Sequence, residues 1–331
     1  MNSQTIVFPD PPFISAWAAV VGKKEGEGPL GRWFDAVCPD DTLGCSSWEK
    51  AETTFQQQAV ELALKKAELE KPDLEISFAG DLLNQCVGSG FAARNSTVPF
   101  AGLYGACSTM ALSTIMAAVF VASGFRQNAL ASTSSHFSSA ERQFRFPLSY
   151  GGQRTPTSQW TVTGAGALVV ARQGKVKIKS ATVGRIVDYG VKDINNMGAA
   201  MAPAAADTIM NFLADTKTAP SDYDLILTGD LGYIGSELLI EMLQKEGIDI
   251  SKPHNDCGRM IFNREKQDVH AGGSGCGCSA AVLCGYILPL MAKGELKNVL
   301  FCATGALMSP TTDQQGESIP AVAHLIHLSA E

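Results

Sequence analysis

Hydrophobic and polar positions repeat in the same order in the two halves of the chain. Residues 73–82 and 222–231 are short apolar runs that end in Gly-Asp-Leu, a pattern typical of a buried strand followed by a turn. A segment of helical periodicity precedes each run, over residues 48–71 and about 201–215, and Pro203 is expected in the first turn of the second helix. The pattern predicts an internal duplication.

Two uncharged stretches extend the repeat. Gly105-Ala106-Cys107-Ser108 and Cys276-Gly277-Cys278-Ser279 each precede one stretch, and we predict helices over residues 110–125 and 280–292, the second broken at Pro289. Predicted strands follow both helices, over residues 129–133 and 299–303.

The first uncharged stretch approaches the length of a membrane span. Residues 107–125 are 19 residues without a charge, and a spanning helix needs about 20. The stretch contains several Ser and Thr residues, its counterpart contains Pro289, and both lie between predicted strands. A helix that is apolar on every side is equally typical of a large buried core. We therefore predict two central helices between two sheets and no transmembrane helix.

The order of elements predicts the fold class. Strand–helix–strand–helix–strand order in each half is typical of mixed α/β sheets covered by helices. The apolar run 164–170 closes the first half and the alternating run 176–183 begins the second, so the division falls near Gln173 and Gly174. We expect one compact body made of two halves, residues 1–173 and 174–331.

Composition and charge exclude several classes of protein. The 331 residues include 32 Gly and 18% charged side chains, against about 25% in a typical domain, which excludes a disordered or coiled-coil chain. The net charge is −7 and Lys/Arg runs are short, so nucleic acid is not an expected partner. The N-terminus lacks the basic and apolar segments of a signal peptide, so we expect an intracellular protein whose nine cysteines are reduced thiols.

Cys107 is the first candidate for chemistry. It stands at the start of a predicted helix, where backbone N–H groups and the helix dipole favour a thiolate or a bound anion. The alternative is a small residue that fills tight packing, the role expected for Cys278. His136 follows the adjacent predicted strand and is placed to approach the same cleft, or it is a hydrogen-bonded structural residue.

Two further groups of side chains are weaker candidates. Arg142 lies in a segment of cations and aromatics, residues 141–147, which is typical of a solvated or subunit-facing surface and also suits a carboxylate ligand. The spacing of four potential zinc ligands differs from the usual zinc-finger arrangements, and we expect no metal site. The four are His254, Cys257, Cys276 and Cys278.

These features resemble a known family. The duplicated unit, the cysteine at the start of the first central helix and the Gly-rich turn before the second are similar to the thiolase and ketoacyl-synthase fold, which implies a five-layer α-β-α-β-α sandwich. More narrowly, the chain resembles the stage V sporulation protein AD family over nearly its whole length. The motifs that carry this likeness are GPLG (28–31), FAGDLLNQ (78–85), GACST (105–109), AERQFR (140–145), AMAPAAAD (200–207), HNDCG (254–258) and GGSGCGCS (272–279).

The resemblance implies a function and partners. It implies a protein that binds dipicolinic acid (pyridine-2,6-dicarboxylate) and helps to move it, with calcium, into the developing spore and out of it in germination. It also implies membrane-embedded partner proteins of the same sporulation complex, which would hold the chain at the inner membrane of the forespore or spore. A homodimer paired through a sheet edge is expected, and no cofactor.

The resemblance also exposes a departure from the enzymes of this fold. Condensing enzymes pair the cysteine with two histidines, or with a histidine and an asparagine, that stabilise the thiolate and the oxyanion. The corresponding places are Gly229-Asp230-Leu231 and Ser274-Gly275-Cys276, and neither holds a histidine. We expect Cys107 to be a vestigial nucleophile in a non-catalytic binding pocket. The alternatives are an acyl-transfer enzyme that uses Cys107 with His136 as a non-standard base, and a scaffold whose cleft is empty.

A pocket for dipicolinate can be predicted from the chemistry of the ligand. A flat pyridine with two carboxylates suits helix N-terminal amides, hydroxyls, a His or Arg, and apolar walls. A carboxylate at the mouth, such as Asp81, repels a dianion unless calcium or another cation lies between them. The predicted ligand-binding residues are Cys107, Ser108, His136 and Arg142, with Asp81 and Asn84 at the mouth of the cleft.

Overall fold

Strands and helices alternate through the part of the chain that the computed structural model describes, residues 3–143 and 153–330. The strands are β1 Thr5–Val7, β2 Phe13–Val21, β3 Ala36–Val37, β4 Ser77–Gly80, β5 Phe100–Gly102, β6 Asn128–Ser135, β7 Trp160–Thr161, β8 Gly164–Ala171, β9 Val176–Thr182, β10 Leu225–Thr228, β11 His254–Asp256, β12 Gly273–Ser274, β13 Asn298–Ala306 and β14 Ala321–Ser329. The helices are α1 Lys23–Gly26, α2 Trp48–Lys66, α3 Val87–Ala93, α4 Thr109–Ala122, α5 Phe137–Gln143, α6 Met197–Thr216, α7 Gly232–Lys245, α8 Cys257–Met260, α9 Cys276–Val282, α10 Leu288–Ala292 and α11 Pro310–Gln314.

The strand order is the same in the two halves of the sequence. In the first half it is β2-β8-β6-β4-β5, and in the second it is β9-β14-β13-β10-β11. The directions also correspond, because β4 is parallel to β5 and β6 while β10 is parallel to β11 and β13, and the remaining neighbours are antiparallel. The two runs join where Phe13 and Ile14 pair with Lys177 and Val176. This topology confirms the predicted duplication.

Three clusters of buried hydrophobic side chains separate the layers. One cluster joins α2 to the outer face of β2, β6 and β8, and another joins α6 to β13 and β14. The third and central cluster contains side chains of α4 and α9 together with strand residues of both halves, among them Leu168 and Phe301. The layers therefore run helix, sheet, helix, sheet, helix, as the resemblance to the thiolase fold implied.

The uncharged helix α4 is a buried central helix. Its Ser113 and Thr114 hydroxyls donate to the Met110 carbonyl at 3.1 and 2.8 Å, so the helix satisfies its own polar groups inside the core. Within residues 3–143 and 153–330, none of the helices combines the length and hydrophobicity that a membrane span requires.

Two expectations about prolines were wrong. The helix that contains Pro289 does not break there, because α9 continues through a π-helical turn, Leu283–Ile287, directly into α10. The wider turn accommodates a residue that has no N–H to donate. Pro203 lies inside α6 and not in its first turn, because α6 begins at Met197, where the Asn196 side chain caps the helix by accepting from Ala199 N at 3.3 Å.

Candidate binding site at Cys107

Cys107 lies in a sharp turn that leads into α4. Ala106, directly before it, has a φ of +48°, a backbone conformation that residues with side chains rarely adopt. The Ser108 and Thr109 hydroxyls donate to the carbonyls of Gly105 and Ala106, both at 2.6 Å, and hold the turn. Ser108 is fully buried, and its hydroxyl donates its hydrogen bond within its own turn.

The second half of the chain packs directly on this turn. A Cβ atom added to Gly305, near the end of β13, would lie 2.3 Å from the Gly105 carbonyl oxygen and 3.3 Å from the Cys107 nitrogen. Such distances leave no space for any side chain, since real Cβ atoms do not approach closer than about van der Waals contact. The absence of a side chain at Gly305 therefore allows the two halves to meet at Cys107.

Asp230 is the polar partner that the second half supplies. It follows β10, it is fully buried, and its carboxyl group lies beside the Cys107 thiol. Burial raises the pKa of Asp230. Its hydrogen-bond donors are Gly275 N at 2.9 Å, Thr304 Oγ1 at 2.8 Å and Ser274 Oγ at 3.1 Å.

The two turns in which the resemblance led us to look for a histidine both lie near Cys107. Asp230 occupies the first, and the turn at Ser274 and Gly275, which binds Asp230, forms the second. None of the described histidines lines the cleft at Cys107. His254, for example, has its Nε2 3.1 Å from Thr228 Oγ1, and burial lowers its pKa to about 4. Cys107 thus has a carboxyl group as its neighbour in the second half of the chain.

A small cleft opens at Cys107. Its volume is about 40 Å³, and its apolar side chains include Tyr104, Met197 and Met308. Among the described residues that line the cleft, none is charged. The lining consists of Leu82, Tyr104, Ala106, Cys107, Ala140, Thr161, Met197, Ser274, Ala306 and Met308.

His136 is engaged by the protein itself and does not line this cleft. Its Nε2 donates to the Asp41 carbonyl at 2.9 Å, and its Nδ1 accepts from Ser138 N at 3.1 Å. Burial lowers the pKa of the imidazole. Both ring nitrogens are therefore occupied, and the geometry fits the structural interpretation of His136 better than contact with a ligand.

The other predicted ligand contacts also lie away from the cleft lining. Arg142 forms an ion pair with Glu49. The buried Asp81 carboxylate accepts from Leu83 N at 2.9 Å and Ser89 N at 2.7 Å, and burial raises its pKa. The backbone of Asn84 donates to Gln143 at 3.1 Å. Phe144, Arg145, Phe146 and Pro147, the rest of the segment of cations and aromatics, lie outside the described residues.

Of the six predicted ligand residues, the structure places Cys107 alone in the lining of the cleft. Sequence reasoning did not find Tyr104, Met197 and Met308, because an apolar side chain carries no signal that distinguishes a cleft wall from a core position. Asp230 had a signal, since its Gly-Asp-Leu turn repeats that of Asp81. Among the described residues, no three His, Cys, Asp or Glu side chains are placed to share a metal ion.

Solved structures of condensing enzymes share this fold. The 3-oxoacyl-[acyl-carrier-protein] synthase III of Aquifex aeolicus VF5 has a TM-score of 0.60 at 15% identity, covering 96% of this chain and 99% of that chain. An OleA variant of Xanthomonas campestris has a TM-score of 0.61 at 14% identity, covering 98% of this chain and 99% of that one. The chain therefore has the thiolase-like fold of these condensing enzymes.

Sequence similarity is much higher to proteins of sporulation. The profile of the family described as stage V sporulation protein AD matches residues 2–329. Stage V sporulation protein AD of Bacillus subtilis (strain 168) is 46% identical over 324 residues, which cover 98% of this chain and 96% of that protein. The chain therefore belongs to the stage V sporulation protein AD family.

Proposed function

We propose that the Cys107 cleft binds dipicolinic acid and performs no acyl transfer, as a component of the complex that moves calcium-dipicolinate into the developing spore and out of it in germination. Membership of a sporulation family supports the role in the spore. The single structural observation that carries the proposal is the buried Asp230 carboxyl group beside the Cys107 thiol.

A carboxyl partner changes what the cysteine can do. Acyl transfer needs a thiolate, which an adjacent imidazole stabilises by taking the proton, and donors that stabilise an oxyanion. A carboxylate stabilises the neutral thiol, because a second negative charge beside it is unfavourable. The Asp230 oxygens already accept from Gly275, Ser274 and Thr304. The pair is thus suited to a fixed wall of a binding cleft and poorly suited to nucleophilic attack.

The charge of the cleft favours the calcium complex as the ligand. Free dipicolinate at neutral pH is a dianion, and burying an unpaired charge is strongly unfavourable. Among the described residues of the lining none is charged, whereas one calcium ion neutralises both carboxylates of the ligand. We expect the neutral calcium–dipicolinate complex to bind more tightly than the free dianion.

The size of the cleft requires the walls to move. About 40 Å³ holds a carboxylate-sized group or a few water molecules, so the ring of the ligand needs more room. Met197 and Met308 can supply it, since methionine side chains are flexible and adapt to irregular shapes.

Calorimetry tests the proposal directly. Dipicolinic acid is titrated, with and without calcium, into the wild type, Cys107→Ala, Met308→Trp and the control Cys45→Ala, a half-buried cysteine outside the cleft. We expect binding to weaken at least several-fold in Cys107→Ala and Met308→Trp. Binding to Cys45→Ala should equal that of the wild type. Equal affinity in all four proteins would show that the ligand binds elsewhere.

Incubation with acyl-CoA separates binding from catalysis. Mass spectrometry should find no acyl group on Cys107 after prolonged incubation. An acylated Cys107 together with turnover would instead support the acyl-transfer enzyme as the function of this site.

Assembly is part of the same proposal. The edge strand β5 exposes Phe100 (38%), and Tyr104 just beyond it is 48% exposed, so an apolar edge is open for a second copy. Integral proteins of the sporulation complex would hold this homodimer at the spore inner membrane. Analytical ultracentrifugation of the wild type and of Phe100→Lys checks the dimer, which the lysine should dissociate.

A further inference from the structure

A second and larger cavity lies on the outer face of the first half's sheet. Its volume is about 290 Å³, against about 40 Å³ for the cleft at Cys107. It lies between α2, α3 and the strands β4 and β6, and none of the residues that line the Cys107 cleft borders it. The volume is close to the lower limit for pockets that hold small organic ligands.

Small side chains on the strands create the space. Ser77 and Ala79 on β4 and Ser132 on β6 border the cavity below α2, where a sheet covered by a helix usually carries large apolar residues. Leu64 and Leu130 add apolar surface to the same walls. The cavity therefore combines hydroxyl groups with apolar walls, which is the composition of a ligand pocket.

Gln56 is the polar group that lacks a partner in this cavity. The residue is 1% exposed and lines the cavity, and its Nε2 donates to Ser132 Oγ at 3.3 Å. Its Oε1 is buried without a hydrogen-bond partner. A buried acceptor left unpaired costs about 1–3 kcal/mol, and an N–H or O–H group of a ligand would recover that cost.

The charges at the cavity cancel. Glu61 and Lys71 are the charged residues among the described lining, and they pair with each other at 3.0 Å with more than half of each side chain exposed. No charge remains to compensate an ion inside the cavity, and an ion buried without compensation is unfavourable. An uncharged ligand is therefore the class that fits.

We propose that this cavity binds a small uncharged molecule that has an apolar ring and donates a hydrogen bond from an amide or hydroxyl group to Gln56 Oε1. The site is independent of the function proposed for Cys107, because it shares neither residues nor charge requirements with that cleft. Apolar side chains such as Val60 and Leu74 contact the ring, and the rim ion pair stays closed.

The test uses three probes of nearly the same shape, which are benzamide, benzoate and toluene. Benzamide supplies the N–H donors, benzoate replaces them by a charge, and toluene has neither. Protein-observed NMR or calorimetry should show binding of benzamide, weaker binding of toluene and none of benzoate. Benzoate that binds as tightly as benzamide, or benzamide that fails to bind at millimolar concentration, would overturn the proposal.

Matched variants test whether benzamide binds in this cavity. Gln56→Leu should weaken benzamide binding about fivefold or more, in line with one neutral hydrogen bond, whereas Gln58→Leu, on the same helix but outside the cavity, should not change it. Ala92→Phe, at a half-buried position on the cavity wall, should abolish binding. Wild-type affinity in Gln56→Leu or Ala92→Phe would contradict the site, and Cys107→Ala must bind benzamide normally.

Discussion

The Asp230 carboxyl group of the second half of the chain is buried beside the Cys107 thiol of the first half. Cys107 precedes the central helix of the first half, and Asp230 follows a strand of the second. Donors from two further segments, Gly275 N and Thr304 Oγ1, converge on the same carboxyl group. Asp230 is therefore both a partner of the cysteine and a junction that holds the second half against it.

Replacing Asp230 should cost stability in proportion to the hydrogen bonds lost. Asp230→Ala leaves several buried donors without an acceptor, so we expect the free energy of unfolding to fall by about 3 kcal/mol or more. Asp230→Asn keeps one oxygen acceptor and should cost about half as much. Urea denaturation measures both, with the exposed Asp222→Ala as the control. A loss in Asp230→Ala no larger than that in Asp222→Ala would mean that the carboxyl group does not organise the junction.

The fold could be predicted from the sequence to a large extent, and the site much less. The Gly-Asp-Leu turns and the uncharged helices are local patterns, and their repetition yields the layers directly. The partners of polar side chains are not local. His136 bonds to the Asp41 carbonyl, 95 positions away, and Arg142 pairs with Glu49, 93 positions away. Helix starts such as that of α6 were missed because tertiary packing extends a helix beyond its clearest periodicity.

Gly305, where the second half of the chain packs on the Cys107 turn, offers a second test of the contact between the two halves. Gly305→Ala places a methyl group 2.3 Å from the Gly105 carbonyl oxygen, so the Cys107 turn or β13 must move. We expect a loss of several kcal/mol in the free energy of unfolding, together with loss of dipicolinate binding. Gly90→Ala is the matched control, because a methyl group there meets nothing within 4 Å and α3 should gain slightly in helix propensity. Urea denaturation and calorimetry record the two effects.

Thiol labelling should distinguish Cys107 from a catalytic cysteine. Cys107 is 6% exposed and its partner is a carboxyl group, so neither access nor charge favours attack on iodoacetamide. Cys45 is half-buried and should react first in the native protein, while burial raises the pKa of thiols such as Cys276 and Cys302. Peptide mass spectrometry over time gives the order of labelling. Cys107 reacting faster than Cys45 at neutral pH would argue for an activated thiolate and against the proposed non-catalytic role.

Stability should depend on pH through Glu52, a fully buried side chain on α2. Burial, followed by the nearby Asp81, raises the pKa of Glu52 to about 8 from 4.5, while Ser139 Oγ donates to it at 2.6 Å. An acid with a higher pKa in the folded state binds its proton more tightly when folded, so the free energy of unfolding falls as pH rises from about 4.5 to 8. Below pH 6.5 buried histidines act in the opposite direction, since the pKa of His254 is lowered to about 4.

The range from pH 6.5 to 8 therefore isolates the carboxyl contribution. Glu52→Gln has the same shape without a titrating proton, and its unfolding free energy should decline less steeply than that of the wild type, by about 1.4 kcal/mol per pH unit. Glu61→Gln, which changes an exposed side chain of the same helix, is the control and should follow the wild-type slope. Urea denaturation at intervals of half a pH unit measures the slopes. Parallel slopes for the wild type and Glu52→Gln would show that Glu52 is ionised in the folded protein.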